Sequence, residues 1–309
     1  MTPTTVVISE IERLLYLKSL PLAHLDAQTL RRMAAHLTER TFGKGEQLLA
    51  LGTIPERFFV VVDGEVEIVS GAGDTQRAGS RSIFGILSAL ARDGRGLSAV
   101  ARRKTLVLEG SVANLLREME DNHVMRRTAI EQVCSDLVEA WAAAPGAADL
   151  LPPPPADLHA PARRLDIVER LTVIRRHTRI GTFNMDAMME LAHVAEELRP
   201  APGDVVWRRS DPARALHIFV QGHVEGRRPD CDCVRAGCGH HLENFVALAG
   251  QPHLTDGVAT SSSVLLRISV ESLFDVLEDR PFMAADLLAL FARLLIDMSG
   301  ASLLPCASF

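Results

Sequence analysis

The sequence predicts an α+β protein built from two consecutive β-roll domains of jelly-roll type, each flanked by helices. Three observations carry that expectation. The second half repeats the first at a constant offset of 158 residues, as from Gly45 to Gly203. Each half passes from helical periodicity to strand alternation and back. A run of four prolines, Pro152 to Pro155, stands between the halves.

The repeat needs no gap. Gly45-Glu46 answers Gly203-Asp204, and Asp63-Gly64-Glu65-Val66 answers Gln221-Gly222-His223-Val224. Arg77-Ala78-Gly79 returns as Arg235-Ala236-Gly237, and Ser111-Val112 as Ser269-Val270. Chance similarity drifts out of register within a loop, so these are two copies of one domain, each of ordinary single-domain size.

Each element follows in turn. Residues 10–40 carry Leu14, Leu17, Leu25, Leu30, Met33, Ala34 and Leu37 mostly at three- and four-residue spacing, which predicts helix, with Asp26 as an N-cap. The second copy repeats the pattern with Phe183, Met188, Leu191, Ala192 and Ala195. Phe58 to Val69 is rich in β-formers, is broken by Asp63-Gly64 and ends in alternation, which predicts a hairpin. Short strands with glycine turns continue to Leu106-Val107-Leu108 and close a compact roll. A short helix from Val112 to Glu120 and a longer one through Ile130, Val133, Leu137 and Trp141 complete the first copy. Leu287, Leu290, Phe291, Leu294, Leu295 and Met298 mark the closing helix of the second. The expected organisation is a first domain over 1–141, a proline-rich linker over 142–164 and a second domain over 165–309.

The chain has 309 residues, 47% of them hydrophobic and 23% charged, with a net charge of -6. That composition supports two packed cores and argues against nucleic-acid binding through overall charge. No apolar run approaches the roughly 20 residues of a membrane-spanning helix, so no membrane insertion is expected. The start, Met1-Thr-Pro-Thr-Thr-Val-Val-Ile, lacks the basic and small-residue features of a signal peptide, and five cysteines do not make a disulfide framework. A cytoplasmic location is expected.

Phe42-Gly-Lys-Gly-Glu46, Phe59-Val-Val-Val-Asp-Gly-Glu-Val66, Gly79, Phe84-Gly85, Ser98 and Thr105-Leu-Val-Leu108 together resemble the cyclic-nucleotide-binding domain. This is the module of catabolite activator protein and of the regulatory subunit of protein kinase A. The resemblance implies a phosphate-binding cassette of the form Phe-Gly-Glu, a short apolar helix, and an Arg nine positions after the Glu. The Glu accepts from the ribose 2′-hydroxyl, the Arg pairs with the cyclic phosphate, and helix N-terminal amides complete the anion site. In the first copy this maps onto Phe84, Gly85, Ile86, Arg95 and Ser98. Ile86 stands where the acid belongs. A ribose hydroxyl buried without an acceptor costs roughly 1 to 3 kcal/mol, or one to two decades of affinity. The second cassette reads Leu242-Glu243-Asn244, with His253 in the Arg position. Neither the Gly, the acid nor the Arg is in register, so no nucleotide is expected there.

Two further clusters stand out. Arg77, Arg81, Arg92, Arg95, Arg102, Arg103 and Lys104 face only Asp93 within their own stretch, which reads as a solvated basic face or an anion-holding patch. Cys231, Cys233, Cys238, His240 and His241 lie within eleven residues. Their chemistry suits zinc, but the spacing is not that of a standard finger, leaving zinc, thiol redox sensing and an ordinary polar loop open.

No nucleophile elbow, P-loop or dinucleotide fingerprint is present, and no helix-turn-helix follows either roll. The expected function is therefore a non-enzymatic regulatory or adaptor protein. It would have weakened or lost ligand binding and work through an unidentified protein partner, with self-association as one form of it. The alternative is a sensor that binds a cyclic nucleotide or another phosphorylated ligand through Arg95 of the first copy. The closing helices, apolar at about 3.5-residue spacing, are expected to pack between copies or chains.

Overall fold

A computed structural model describes residues 9–18, 27–70, 73, 75–93, 97–143, 160–177, 184–228, 231–237 and 242–299. Asp26, Arg95, Phe183, Cys238, His240, His241 and the prolines 152–155 lie outside the described residues. The contacts divide the chain into two units, residues 1–129 with 292–309, and residues 130–291.

In chain order the first copy runs α1 (Glu10–Lys18), α2 (Ala27–Ala35), β1 (Thr38–Phe42), β2 (Gln47–Leu49), β3 (Arg57–Asp63), β4 (Val66–Ser70), β5 (Thr75–Ala78) and β6 (Ile83–Phe84). It continues with α3 (Ile86–Ala91), β7 (Leu97–Ala101), β8 (Thr105–Ser111), α4 (Val112–Asp121) and α5 (His123–Ala143). Two antiparallel four-stranded sheets, ordered β1-β8-β3-β6 and β2-β7-β4-β5, form the roll. The expected helical stretch thus stops early: the chain has already turned into β1 at Thr38. The hairpin is where alternation placed it. Val66, Ile68 and Ser70 of β4 are buried while Glu67 and Val69 are half-buried.

Phe42, Leu49, Phe59, Val61, Val66, Ile68, Phe84, Leu97, Ala99, Ala101 and Val107 meet in one core. Phe59 stacks on Phe84 at 5.4 Å and meets Phe42 edge-on at 6.0 Å. Each such ring buried contributes about 1.5 to 3 kcal/mol. The Asp63-Gly64 turn requires its glycine twice over. Gly64 has φ +116, and a Cβ there would overlap Thr105. The Thr105 hydroxyl uses that space to accept from the Glu65 amide at 3.2 Å. The second copy repeats the arrangement, with Gly222 at φ +81 against Ser263.

The second copy runs α6 (Ile167–His177), α7 (Met185–Val194), β9 (Glu196–Leu198), β10 (Val205–Trp207), β11 (Ala215–Gln221), β12 (Val224–Arg228), β13 (Cys231–Ala236) and α8 (Asn244–Leu248). Then come β14 (Asp256–Ala259), β15 (Val264–Ser269), α9 (Val270–Glu278) and α10 (Pro281–Ser299). Its sheets are ordered β10-β14-β12-β13 and β11-β15-β9, again antiparallel. Ser111 and Ser269, a repeated pair, cap equivalent helices. Each accepts from the amide three residues on, Asn114 at 3.4 Å and Ser272 at 3.0 Å.

From Ile130 onward α5 belongs to the second unit. There Val138 packs with Ala213, Val246 and Ala247, and Trp141 meets Phe245 edge-on at 6.3 Å. The Gln251 side-chain amide donates to Ser135 Oγ at 2.9 Å, and the Arg228 guanidinium lies over Trp141. The apolar stripe of this helix therefore covers α8. Among the described residues no helix is long and apolar enough to cross a membrane, and no group of three His, Cys, Asp or Glu could hold a metal ion. Of the Cys/His cluster only the backbone of Cys231 and Cys233 is described, in β13.

Candidate functional site

In the first copy β6 delivers the chain into α3 through Gly85, and both demands on that glycine are geometric. Its φ is +92, and a Cβ would stand 2.8 Å from the Arg57 carbonyl oxygen and 3.3 Å from Phe58 Cα. Phe84, 1% exposed, is committed to the core. Ile86 opens α3 and is buried, 6% exposed, as is Leu87. α3 ends at Arg92, which holds a left-handed backbone at φ 53 while its amide bonds Ala89 and Ser88 carbonyls. Ser98 of β7 is half-buried, on the opposite face from the inward-pointing Leu97 and Ala99. Arg95, the residue expected to hold a phosphate, lies outside the described residues.

The strand pattern, the Gly85 turn and the short buried helix agree with a match to the family profile described as "Cyclic nucleotide-binding domain", over residues 39–122. The match lies wholly within the first copy. No curated protein matches the chain. Solved structures similar to it include the regulatory domain of Toxoplasma gondii PKA with cAMP, at 12% identity and TM-score 0.34, over 92% of this chain and 96% of that one. The regulatory subunit of a cAMP-independent protein kinase A from Trypanosoma cruzi bound to guanosine has 13% identity and TM-score 0.34, with 90% of each chain covered. A cyclic nucleotide-binding-like protein from Brucella abortus has 25% identity and TM-score 0.31, over 35% of this chain and 97% of that one.

Against this cyclic nucleotide-binding domain the second copy can be read position by position. Glu243 takes the place of Gly85 and, like it, sits left-handed, at φ 57. For a side-chain-bearing residue that conformation costs of order 1 kcal/mol. The Glu243 carboxylate offsets it. Its Oε2 accepts from His253 Nδ1 at 2.8 Å and from the Leu254 amide at 3.2 Å. Oε1 is buried with no hydrogen-bond partner. Asn244, in the place of Ile86, clamps the backbone of β11 by accepting from the His217 amide at 2.8 Å and donating to the His217 carbonyl at 3.0 Å. His253, in the place of Arg95, is 8% exposed and stacks on Trp207. Of the three residues expected to mark a decayed pocket, Glu243 and His253 bond to each other, while Asn244 is tied to the His217 backbone.

Sequence reasoning missed Trp207 and His217. Trp207 stacks on His217 at 5.1 Å and on His253 at 5.4 Å. Burial drives the His217 pKa down to about 3, with His253 and Arg267 adding to the fall. The signal was present in the repeat. Trp207 answers Leu49 and His217 answers Phe59, both core residues of the first copy.

Three cations of the basic stretch of the first copy meet acids from outside it. Arg77 meets Glu65 at 3.4 Å, Arg102 meets Glu67 at 3.5 Å and Arg103 meets Asp63 at 3.8 Å. These acids lie outside the stretch and arrive by antiparallel pairing with β4 and at the β3–β4 turn. Exposed pairs of this kind are worth at most about 1 kcal/mol each, but they neutralise the face.

Proposed function

We propose that the chain is a non-enzymatic regulatory protein whose two cyclic-nucleotide-binding folds serve protein contacts. Ligand affinity is weakened in the first and lost in the second. The single observation that carries this reading is Ile86: the position of the ribose acceptor holds a buried aliphatic side chain. A 2′-hydroxyl brought against it would lose water and gain no partner. The second copy supports the same reading, since its residues at 243, 244 and 253 are already engaged with their own backbone and with each other. Domains over 1–141 and 165–309, joined by 142–164, remain the proposed organisation, in a cytoplasmic setting.

The specific experiment is gain of affinity. Ile86→Glu restores the missing acceptor, and titration of wild type and variant with cyclic AMP should show the variant binding about ten- to a hundredfold more tightly. Equal affinities would show that position 86 does not decide binding. A second reading, a sensor acting through Arg95, rests on that arginine being retained in the sequence.

A further inference from the structure

The two cores can be compared residue by residue at the 158-residue offset. Leu49, Ile68, Leu97 and Ala99 of the first copy become Trp207, Gly226, Thr255 and Gly257 of the second. One position has grown by an indole while two others have lost their side chains. The geometry links these changes. A Cβ on Gly257 would overlap the Trp207 ring, so the first copy's Ala99 could not coexist with this tryptophan. A Cβ on Gly226 would stand 2.9 Å from Thr255 Oγ1, the atom to which Trp207 Nε1 donates at 3.4 Å. The indole is 6% exposed, packed with Phe219, Val224, Leu242 and Leu265, and lies nearly parallel to His253, with 18° between the rings.

We propose that Trp207 is a built-in occupant of the second copy's nucleotide pocket, stacked against His253 in the phosphate-binding position and accommodated by Gly257. This rests on the reading that the second site has lost its ligand, and it identifies what took the space. The second fold is then held in one ligand-independent conformation by its own side chain.

The test is a double-mutant cycle on the full chain. Gly257→Ala alone should lower the melting temperature of the second unit by roughly 3–10 °C, because the new methyl collides with the ring. In a Trp207→Leu background, which restores the first copy's pair, the same change should cost nothing or raise the melting temperature. Additive effects would overturn the proposal. A second measurement leaves Trp207 and Gly257 unchanged. With Trp141→Phe, Trp207 is the remaining tryptophan, and its emission should be blue-shifted and resist acrylamide, with quenching several-fold below that of free tryptophan. Quenching like that of free tryptophan would equally overturn it. Neither outcome depends on the first copy. Tight cyclic-nucleotide binding abolished by Arg95→Ala would sink the proposed function while leaving this inference standing.

Discussion

Replacing His217 by Phe, the residue of the first copy at this position, should stabilise the second unit at acid pH relative to wild type. His217 is 5% exposed and titrates at about 3 in the folded chain, against 6.5 for a free histidine. Between those values the unfolded chain binds a proton that the folded chain refuses, so this group makes stability rise with pH across that window. At neutral pH it contributes nothing. By pH 4.5 the deficit is two units, about 2.7 kcal/mol. Trp207 stacks on the ring, and His253 and Arg267 both disfavour its charged form. Phe cannot titrate and keeps an aromatic ring against Trp207. Urea unfolding should show the variant gaining about 2.7 kcal/mol over wild type between pH 7 and pH 4.5. Identical pH dependence in the two proteins would contradict the assignment.

Asp136→Asn should act in the opposite sense. This residue of α5 is 6% exposed. One carboxylate oxygen accepts from Gln132 Nε2 at 2.9 Å, and the other is buried with no partner. Burial pushes its pKa up from 3.8 to about 6; the Gln132 hydrogen bond works against that shift and Glu139 adds to it. Here the folded chain holds the proton more tightly, so stability falls as pH rises from about 4 to 6 and stays low above. The loss at neutral pH is at most about 3 kcal/mol, and Asn, which keeps the Gln132 bond without the charge, should recover much of it. At pH 4 the variant should gain little. The two groups nearly cancel between pH 4 and 6, so wild type should be flat there. His217→Phe should then grow more stable on acidification and Asp136→Asn less stable. A variant gain that is the same at pH 4 and pH 8 would rule out the buried carboxylate as its source.

The repeat made the fold legible. Once Gly45 was matched with Gly203, helices, strands and turns could be placed in both copies, and the Gly64 and Gly222 turns are what the sequence promised. Less was visible at the ends of elements, where β1 begins inside a stretch of helical periodicity that strand pairing with β8 overrides. The stripe of α5 was legible but its target was not. Spacing says that Ile130, Val133, Leu137 and Trp141 share a face, while Phe245 and Val246, which lie against Trp141 and Val138, stand a hundred residues away. The acids that meet the basic stretch were hidden for the same reason, because Glu65, Glu67 and Asp63 stand outside it in sequence. In the cassette, Ile86 and His253 could be read directly as substitutions. Trp207 could not, because a buried tryptophan in a strand looks like ordinary core until Gly257 is seen to have emptied beside it.

The central claim is that cyclic nucleotides are not tight ligands of this chain. Calorimetric titration of the intact wild-type protein with cyclic AMP and with cyclic GMP tests it most directly. The account predicts no binding tighter than about 10 µM for either, since Ile86 removes the ribose acceptor and the second pocket is occupied by its own residues. Micromolar or tighter binding at one site per chain, lost in Arg95→Ala, would contradict it and make the first copy a working sensor.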